Sequence, residues 1–186
     1  GGLGFIKPFL RKISLRGNGF SASTLPNLDA INETFDPEYS LEELDISYTM
    51  FGDWDNIYEL QALKILRISG MPSDGSPSDD RIDSLPNLEV LEIKQNDLST
   101  GIIPEVTNLT NLKILDATNC SLTEFPTDFV SNSFEELYLS NNEITSSFPS
   151  FIANHSNLRI LDLIENQFYG DIPAGAFDNL TLLEKL

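Results

Sequence analysis

The stretch Leu158-Arg159-Ile160-Leu161-Asp162-Leu163-Ile164-Glu165-Asn166-Gln167-Phe168 decides the fold. Apolar residues stand at its first, fourth, sixth and eleventh positions, and an asparagine stands at the ninth. The alternation through Leu161 and Leu163 has a period of two, the mark of a short strand with one buried face. Asn166 follows where the strand must end, and its amide can pair with backbone groups that the turn exposes. The pattern recurs with its first position at Leu10, Leu41, Leu63, Leu88, Leu112, Phe134, Leu158 and Leu183, at intervals of 31, 22, 25, 24, 22, 24 and 25 residues. Self-similarity at such a period means stacked units, each unable to bury its apolar face alone.

The copies vary in an informative way. Asn18, Asn96, Asn142 and Asn166 hold the ninth position, Thr49 and Cys120 are small stand-ins, and Met71 has no polar group to offer. The expectation is that a buried asparagine bonds backbone in its own copy and the next, and that the third copy, with Met71, turns differently. A second apolar set follows each turn, such as Phe168, Ile172, Phe177 and Leu180, and fills the core from the other side. Residues 1–186 are read as one solenoid of about seven repeats plus a truncated eighth, part of a longer chain.

Between Asn166 and Pro173 the chain reads Asn-Gln-Phe-Tyr-Gly-Asp-Ile-Pro, and Asn96 to Pro104 repeats it with one extra residue. Asn142 to Pro149 keeps the proline, with Ser146 for glycine and Phe148 for isoleucine. These copies resemble the plant-specific type of leucine-rich repeat, N-x-L-x-G-x-I-P. The first three copies lack the G-x-I-P segment, and the paired cysteines of that family's N-terminal cap are absent. The resemblance implies an α/β repeat solenoid: a concave parallel β-sheet, an irregular or short-helical convex side, and a second short sheet near the Ile-Pro positions.

Composition narrows the function. With 11 Lys and Arg against 29 Asp and Glu, the net charge is −18, which repels nucleic acid and disfavours anionic membranes. No apolar run is long enough to insert into a membrane. One cysteine, Cys120, excludes an internal disulfide, and at the asparagine position it reads as a buried turn residue. His155, the one histidine, falls in a turn that the pattern leaves exposed, and no nucleophile–base pair is signalled. Neither catalysis nor a cofactor or metal is expected. The polar loop Met71 to Asp80 carries Asp74, Asp79 and Asp80, with Asp83 beyond it, in no calcium-loop spacing, and reads as a surface loop. Trp54 is expected to pack under the convex side.

Residues flanking the buried strand positions point to the concave face. The candidate ligand contacts there are Asp45, Tyr48, Arg67, Glu92, Lys94, Asp116, Tyr138, Asp162 and Glu165. This acidic strip is interrupted by Tyr48, Tyr138 and Ile164, with Ile65, Val90, Ile114 and Ile160 at the third position. It suits a basic peptide or protein, or a sugar stacked on tyrosine. Five N-x-S/T sequons, at Asn32, Asn108, Asn119, Asn154 and Asn179, favour a glycosylated protein of the secretory pathway, extracellular or at the cell surface. The expected function is a non-catalytic protein- or glycan-binding module. The alternatives are a structural subunit of a surface layer or large complex, or a secreted inhibitor of a hydrolase, as in the plant repeat proteins it resembles.

Overall fold

The computed structural model describes residues 10–20, 41–51, 55–72, 81–99, 104–126 and 134–186. Asn32, Trp54, Asp74, Asp79, Asp80 and Ile103 lie outside the described residues.

Each copy contributes one strand of three residues: β1 Lys12–Ser14, β2 Glu43–Asp45, β3 Ile65–Arg67, β4 Val90–Glu92, β5 Ile114–Asp116, β6 Glu136–Tyr138 and β7 Ile160–Asp162. They form one parallel sheet in sequence order, β1 to β7. The register is constant: Ile13, Leu44, Leu66, Leu91, Leu115, Leu137 and Leu161 form one column. A slip of one residue would expose that whole column, so burial fixes the register. Pairing runs past each strand, since Ile93 and Gln95 donate N–H groups to Asp116 and Thr118, and Ala117 and Asn119 repeat this to Tyr138 and Ser140.

The core is continuous from Leu41 to Leu180. The convex side is short and irregular: a four-residue α-helix, α1 (Asp55–Tyr58), and 3-10 turns at Ile82–Ser84, Pro104–Asn108 and Ser150–Asn154. Near the Ile-Pro positions, Ser147 and Tyr169 form a parallel bridge, and Gln167 N–H donates to Ile144. This is the beginning of the second ladder that the repeat type implies. Gly170 beside it adopts φ +79°, which Gly takes without steric cost.

The asparagine column works in the opposite direction from the one expected. Asn142 Nδ2 donates to Leu139 in its own copy and to Ala117 in the copy before it, and its Oδ1 accepts from Cys120 and Leu122 N–H. Asn96 likewise reaches back, donating to Ile68 and accepting from Met71 N–H, as well as donating to Ile93. The third copy therefore turns like the others. Asn96 serves the backbone that Met71 does not, and Thr49 Oγ1 donates to Ile46 at 2.7 Å. Cys120 fills the place with its thiol, 3.2 Å from the Ile93 carbonyl, and burial pushes its pKa up to about 11. In the first copy the equivalent Asn18 is exposed and, among the described residues, bonds the Leu15 and Arg16 carbonyls of its own turn.

His155 is a second correction. It is 2% exposed, wedged edge-on against the Phe134 and Phe151 rings at 5.2 and 5.7 Å. Its place after the 3-10 turn corresponds to Leu109 and Leu180, both buried, so position in the repeat outweighs residue polarity here.

Candidate functional site

The strand residues on either side of the buried column form two parallel columns on the concave face. One is Ser14, Asp45, Arg67, Glu92, Asp116, Tyr138 and Asp162; the other is Lys12, Glu43, Ile65, Val90, Ile114, Glu136 and Ile160. The fifth-position candidates thus come into one register, as the alternation requires. The third-position charges Lys12, Glu43 and Glu136 belong to the same face, although reading that column for its apolar members passes over them.

These charges pair across strands. Lys12 Nζ lies 2.8 Å from Glu43, whose carboxylate is 2.5 Å from Arg67 Nη1; Arg67 Nε lies 2.7 Å from Glu92. Lys94 continues the chain, 3.7 Å from Glu92 and 3.0 Å from Asp116. The bond from Lys12, reinforced by Arg67, holds the Glu43 carboxyl below its usual range against the opposing effect of burial. Burial lowers the Lys94 pKa, but Asp116 and Glu92 outweigh it and hold the ammonium above its ordinary value.

The aspartates also hold backbone. Asp45, Asp116 and Asp162 accept the N–H two residues on, from Ser47, Thr118 and Ile164, at 3.0, 3.1 and 3.2 Å. Asp45 is buried by this turn and has little face to offer a ligand. Ser47, Ser69 and Ser140, at the seventh position, are buried as well. Position eight is the bend itself: Gly17, Tyr48, Gly70, Gln95, Asn119, Asn141 and Glu165 all have φ between 53° and 72°. That left-handed geometry is natural for Gly and Asn and costly for Tyr, Gln and Glu.

Tyr48 lies flat along this row. Its ring covers Gly70, its hydroxyl donates to Gln95 Oε1, and the Arg16 guanidinium sits 4.6 Å from the ring centroid. A side chain at residue 70 would meet the ring at 2.4 Å, which explains the glycine.

Beyond β5 the face differs. Tyr138 donates to Glu136 Oε2 at 2.8 Å, and its phenol pKa is pushed up to about 12, first by burial and then by Glu136, Asp116 and Asp162. Glu165 and Ile164 are exposed, and Asp162 has a cation only at 3.7 Å, Lys185. Tyr138 thus stands among Glu136, Asp116 and Asp162, with Ile164 and Glu165 exposed in the turn after β7; Arg159 interacts with Glu136, and Lys185 lies 3.7 Å from Asp162.

A further charged column lies at the second position: Arg11, Glu42, Lys64, Glu89, Lys113, Glu135, Arg159, Glu184. The signs alternate without a break. Glu42 pairs with Arg11 and, at 3.1 Å, with Lys64; Lys113 reaches Glu89 at 2.6 Å and Arg159 reaches Glu184 at 2.9 Å. Lys64, Asn87, Glu89, Asn111 and Lys113 line a shallow pocket of about 230 Å³ on this flank, where the strands begin. The signal was legible in the sequence, since it needs only the repeats aligned and one column read downward. Among the described residues no cluster of His, Cys, Asp and Glu is placed to hold a metal ion, and no helix is long and apolar enough to cross a membrane.

Short parallel strands one repeat apart, with Asn96, Asn142 and Asn166 each serving the backbone of the preceding copy, define a repeat solenoid with an open concave sheet. The signature described as Leucine Rich Repeat matches residues 111–132 and 133–155. Receptor-like protein 39 of Arabidopsis thaliana is 32% identical over 157 residues, which are 80% of this chain and 17% of that protein. A leucine-rich repeat protein of Leptospira interrogans superposes with a TM-score of 0.74 at 25% identity, over 95% of this chain and 43% of that one. The Arabidopsis receptor kinase HAESA, in complex with the peptide hormone IDA and the co-receptor SERK1, superposes with a TM-score of 0.60 at 25% identity, over 95% of this chain and 33% of that one. The chain carries leucine-rich repeats and is similar to plant receptor-like proteins. It spans less than a fifth of the curated relative's length.

Proposed function

We propose that the chain is a non-catalytic recognition module, extracellular or at the cell surface, that takes a protein or peptide on its concave sheet. The observation that carries this reading is the open face itself. Its side chains stand in fixed register on a continuous core, so little conformational freedom is lost on binding. The receptor-like name of the relative and the peptide held by HAESA support it. The half around Tyr138 suits a basic segment, because Glu136, Asp162 and Glu165 leave negative charge there beside exposed Ile164. In the other half Arg67 and Lys94 already occupy the acids.

Selection of random displayed peptides on the immobilised chain supplies the probe. Asp116 and Asp162 hold turns, so the disruptive variant combines Glu136→Lys, Tyr138→Ser and Glu165→Lys and is checked for native circular dichroism. At least a tenfold loss of affinity for a selected peptide is expected. Unchanged affinity would place binding off the concave face.

A further inference from the structure

Three of the sequons occupy one place in the repeat. Asn108, Asn154 and Asn179 each stand four residues before the first leucine of the next copy, Leu112, Leu158 and Leu183. Asn108 and Asn154 are the final residues of their 3-10 turns. In every case the middle residue is buried (Leu109, His155, Leu180), while the asparagine and the hydroxyl residue (Thr110, Ser156, Thr181) are exposed. The acceptor and the hydroxyl that defines the sequon thus both face solvent, on the flank where the strands begin.

From this register we infer that Asn108, Asn154 and Asn179 carry N-linked glycans in one row, which closes that flank to partners and leaves the concave face and the opposite flank open. The inference rests on the secretory, concave-face reading above. Glycosylation joins Asn Nδ2 to the anomeric carbon of a lipid-pyrophosphate-linked oligosaccharide. That carbon's bond to the pyrophosphate oxygen breaks, and one amide proton leaves with the lipid pyrophosphate. One N–H remains on the nitrogen. The bonds now made by Asn108 to Asp83 at 3.2 Å and by Asn179 to the Ala153 carbonyl at 3.4 Å can therefore persist in the glycosylated protein.

A second asparagine row shows that the flank is organised rather than merely rich in asparagine. Asn87 and Asn111 sit one residue before Leu88 and Leu112 and donate to the Gln61 and Pro86 carbonyls, both at 2.8 Å. Two residues on from each comes a charge of the alternating column, Glu89 or Lys113, so neither is a sequon. Ionic pairing and glycan acceptors thus use separate columns of one flank.

Asn119 is different. It occupies the bend at φ 56°, donates its N–H to Ser140, and precedes Cys120, whose own N–H is held by Asn142. Its side chain belongs to the row of Gln95 and Asn141 at the edge of the concave face. A glycan there would stand over the surface assigned to the ligand, so this sequon stays bare.

The test is glycopeptide mass spectrometry on the chain secreted from plant cells, with enzymatic deglycosylation to mark each occupied asparagine. Majority occupancy at Asn108, Asn154 and Asn179, with Asn119 unmodified, is expected. A bare row beside an occupied Asn119 overturns this inference alone. No glycan at any of the five sequons, Asn32 included, overturns the secretory reading with it. A peptide selected on the chain should bind the glycosylated and deglycosylated forms within twofold. A tenfold gain on deglycosylation would mean that the glycans cover the peptide's site and would overturn the inference that they leave the binding face open.

Discussion

The concave face changes character between β5 and β6. Across β1 to β5, Lys12, Arg67 and Lys94 are threaded between Glu43, Glu92 and Asp116, and the face neutralises itself. Across β6 and β7, Glu136 and Asp162 flank Tyr138 and Glu165 is exposed, against Arg159, which interacts with Glu136, and Lys185 at 3.7 Å from Asp162. Both regions belong to a chain of net charge −18, but the second holds fewer cross-strand ion pairs on its concave face than the first. Net charge describes solubility; the potential that a ligand meets depends on which acids lack a cation in the adjacent strand.

Both regions stand on the same asparagine column, so the largest expected effect is the one that breaks the support of each. Asn142→Ala orphans the Ala117 carbonyl and the Cys120 and Leu122 N–H groups, all of them buried, and leaves the Leu139 carbonyl to Asn166 alone. At 1–3 kcal/mol for each buried group left unpaired, the loss should be about 3 kcal/mol or more. Asn18→Ala, the same change at an exposed turn, should cost about 0.5 kcal/mol or less. Urea midpoints measure both, and equal losses would show that the column is not what holds the stack.

The first region has its own weak point at Gly70. Gly70→Ala places a Cβ 2.4 Å from the Tyr48 ring at a residue with φ +61°. The expected cost is about 2 kcal/mol, part from the left-handed backbone and part from the ring. Tyr48→Ala in the same chain should recover the second part only. Full recovery, read from urea midpoints, would mean that the backbone term is absent.

Smaller still is the loss on cutting the ion chain. Arg67→Met leaves Glu43 and Glu92 without their shared guanidinium and should cost about 1 kcal/mol, less at high salt. The pH dependence separates the two regions. The pKa of Glu43 is lowered by Lys12 and Arg67, so its contribution to stability is present above the carboxylate's unfolded value of 4.5 and is lost as pH falls through the depressed folded one. The destabilisation by Arg67→Met should therefore shrink in acid. The pKa of Tyr138 is raised, so its contribution is present below the phenol's unfolded value of 10.0 and is lost as pH rises through about 12. Absorbance titration should show one tyrosine ionising late, and Tyr138→Phe should remove that step. A late step that survives would belong to another tyrosine.

The fold was legible because it depends on columns: Leu115, Leu137 and Leu161 recur with a period that no single residue has to prove. The site was legible in part. Alternation placed Arg67, Glu92 and Tyr138 on one face, but it treats every outward residue alike, whereas Asp45 turns back to cap Ser47 and Tyr48 lies along Gly70. The first is a turn within one copy and the second a contact between copies, and alternation alone reveals neither. The same limitation explains Met71, whose turn is served by Asn96 of the copy after it, and His155, whose burial follows from standing where Leu109 and Leu180 stand.

The alternating column on the flank should have the smallest effect on stability and a larger one on specificity of assembly. Lys113 is 44% exposed and its partner Glu89 36%, so solvent screens the 2.6 Å contact, and Lys113→Met should leave the urea midpoint unchanged within error. Lys113→Glu asks more of the column, because it sets residues 89, 113 and 135 to one sign in three adjacent copies. Its expected signature is a salt dependence absent from the Lys113→Met variant, with stability recovering as ionic strength rises and the like charges are screened. Adding Glu89→Lys to it restores alternation between the two positions and should cancel that dependence locally, while creating a new like-charge contact with Lys64. A residual salt dependence in the double change is expected from its two remaining like-charge neighbours, residue 89 with Lys64 and residue 113 with Glu135. If the double change instead behaves as the native chain does at every salt concentration, like charges one repeat apart in this column do not interact measurably.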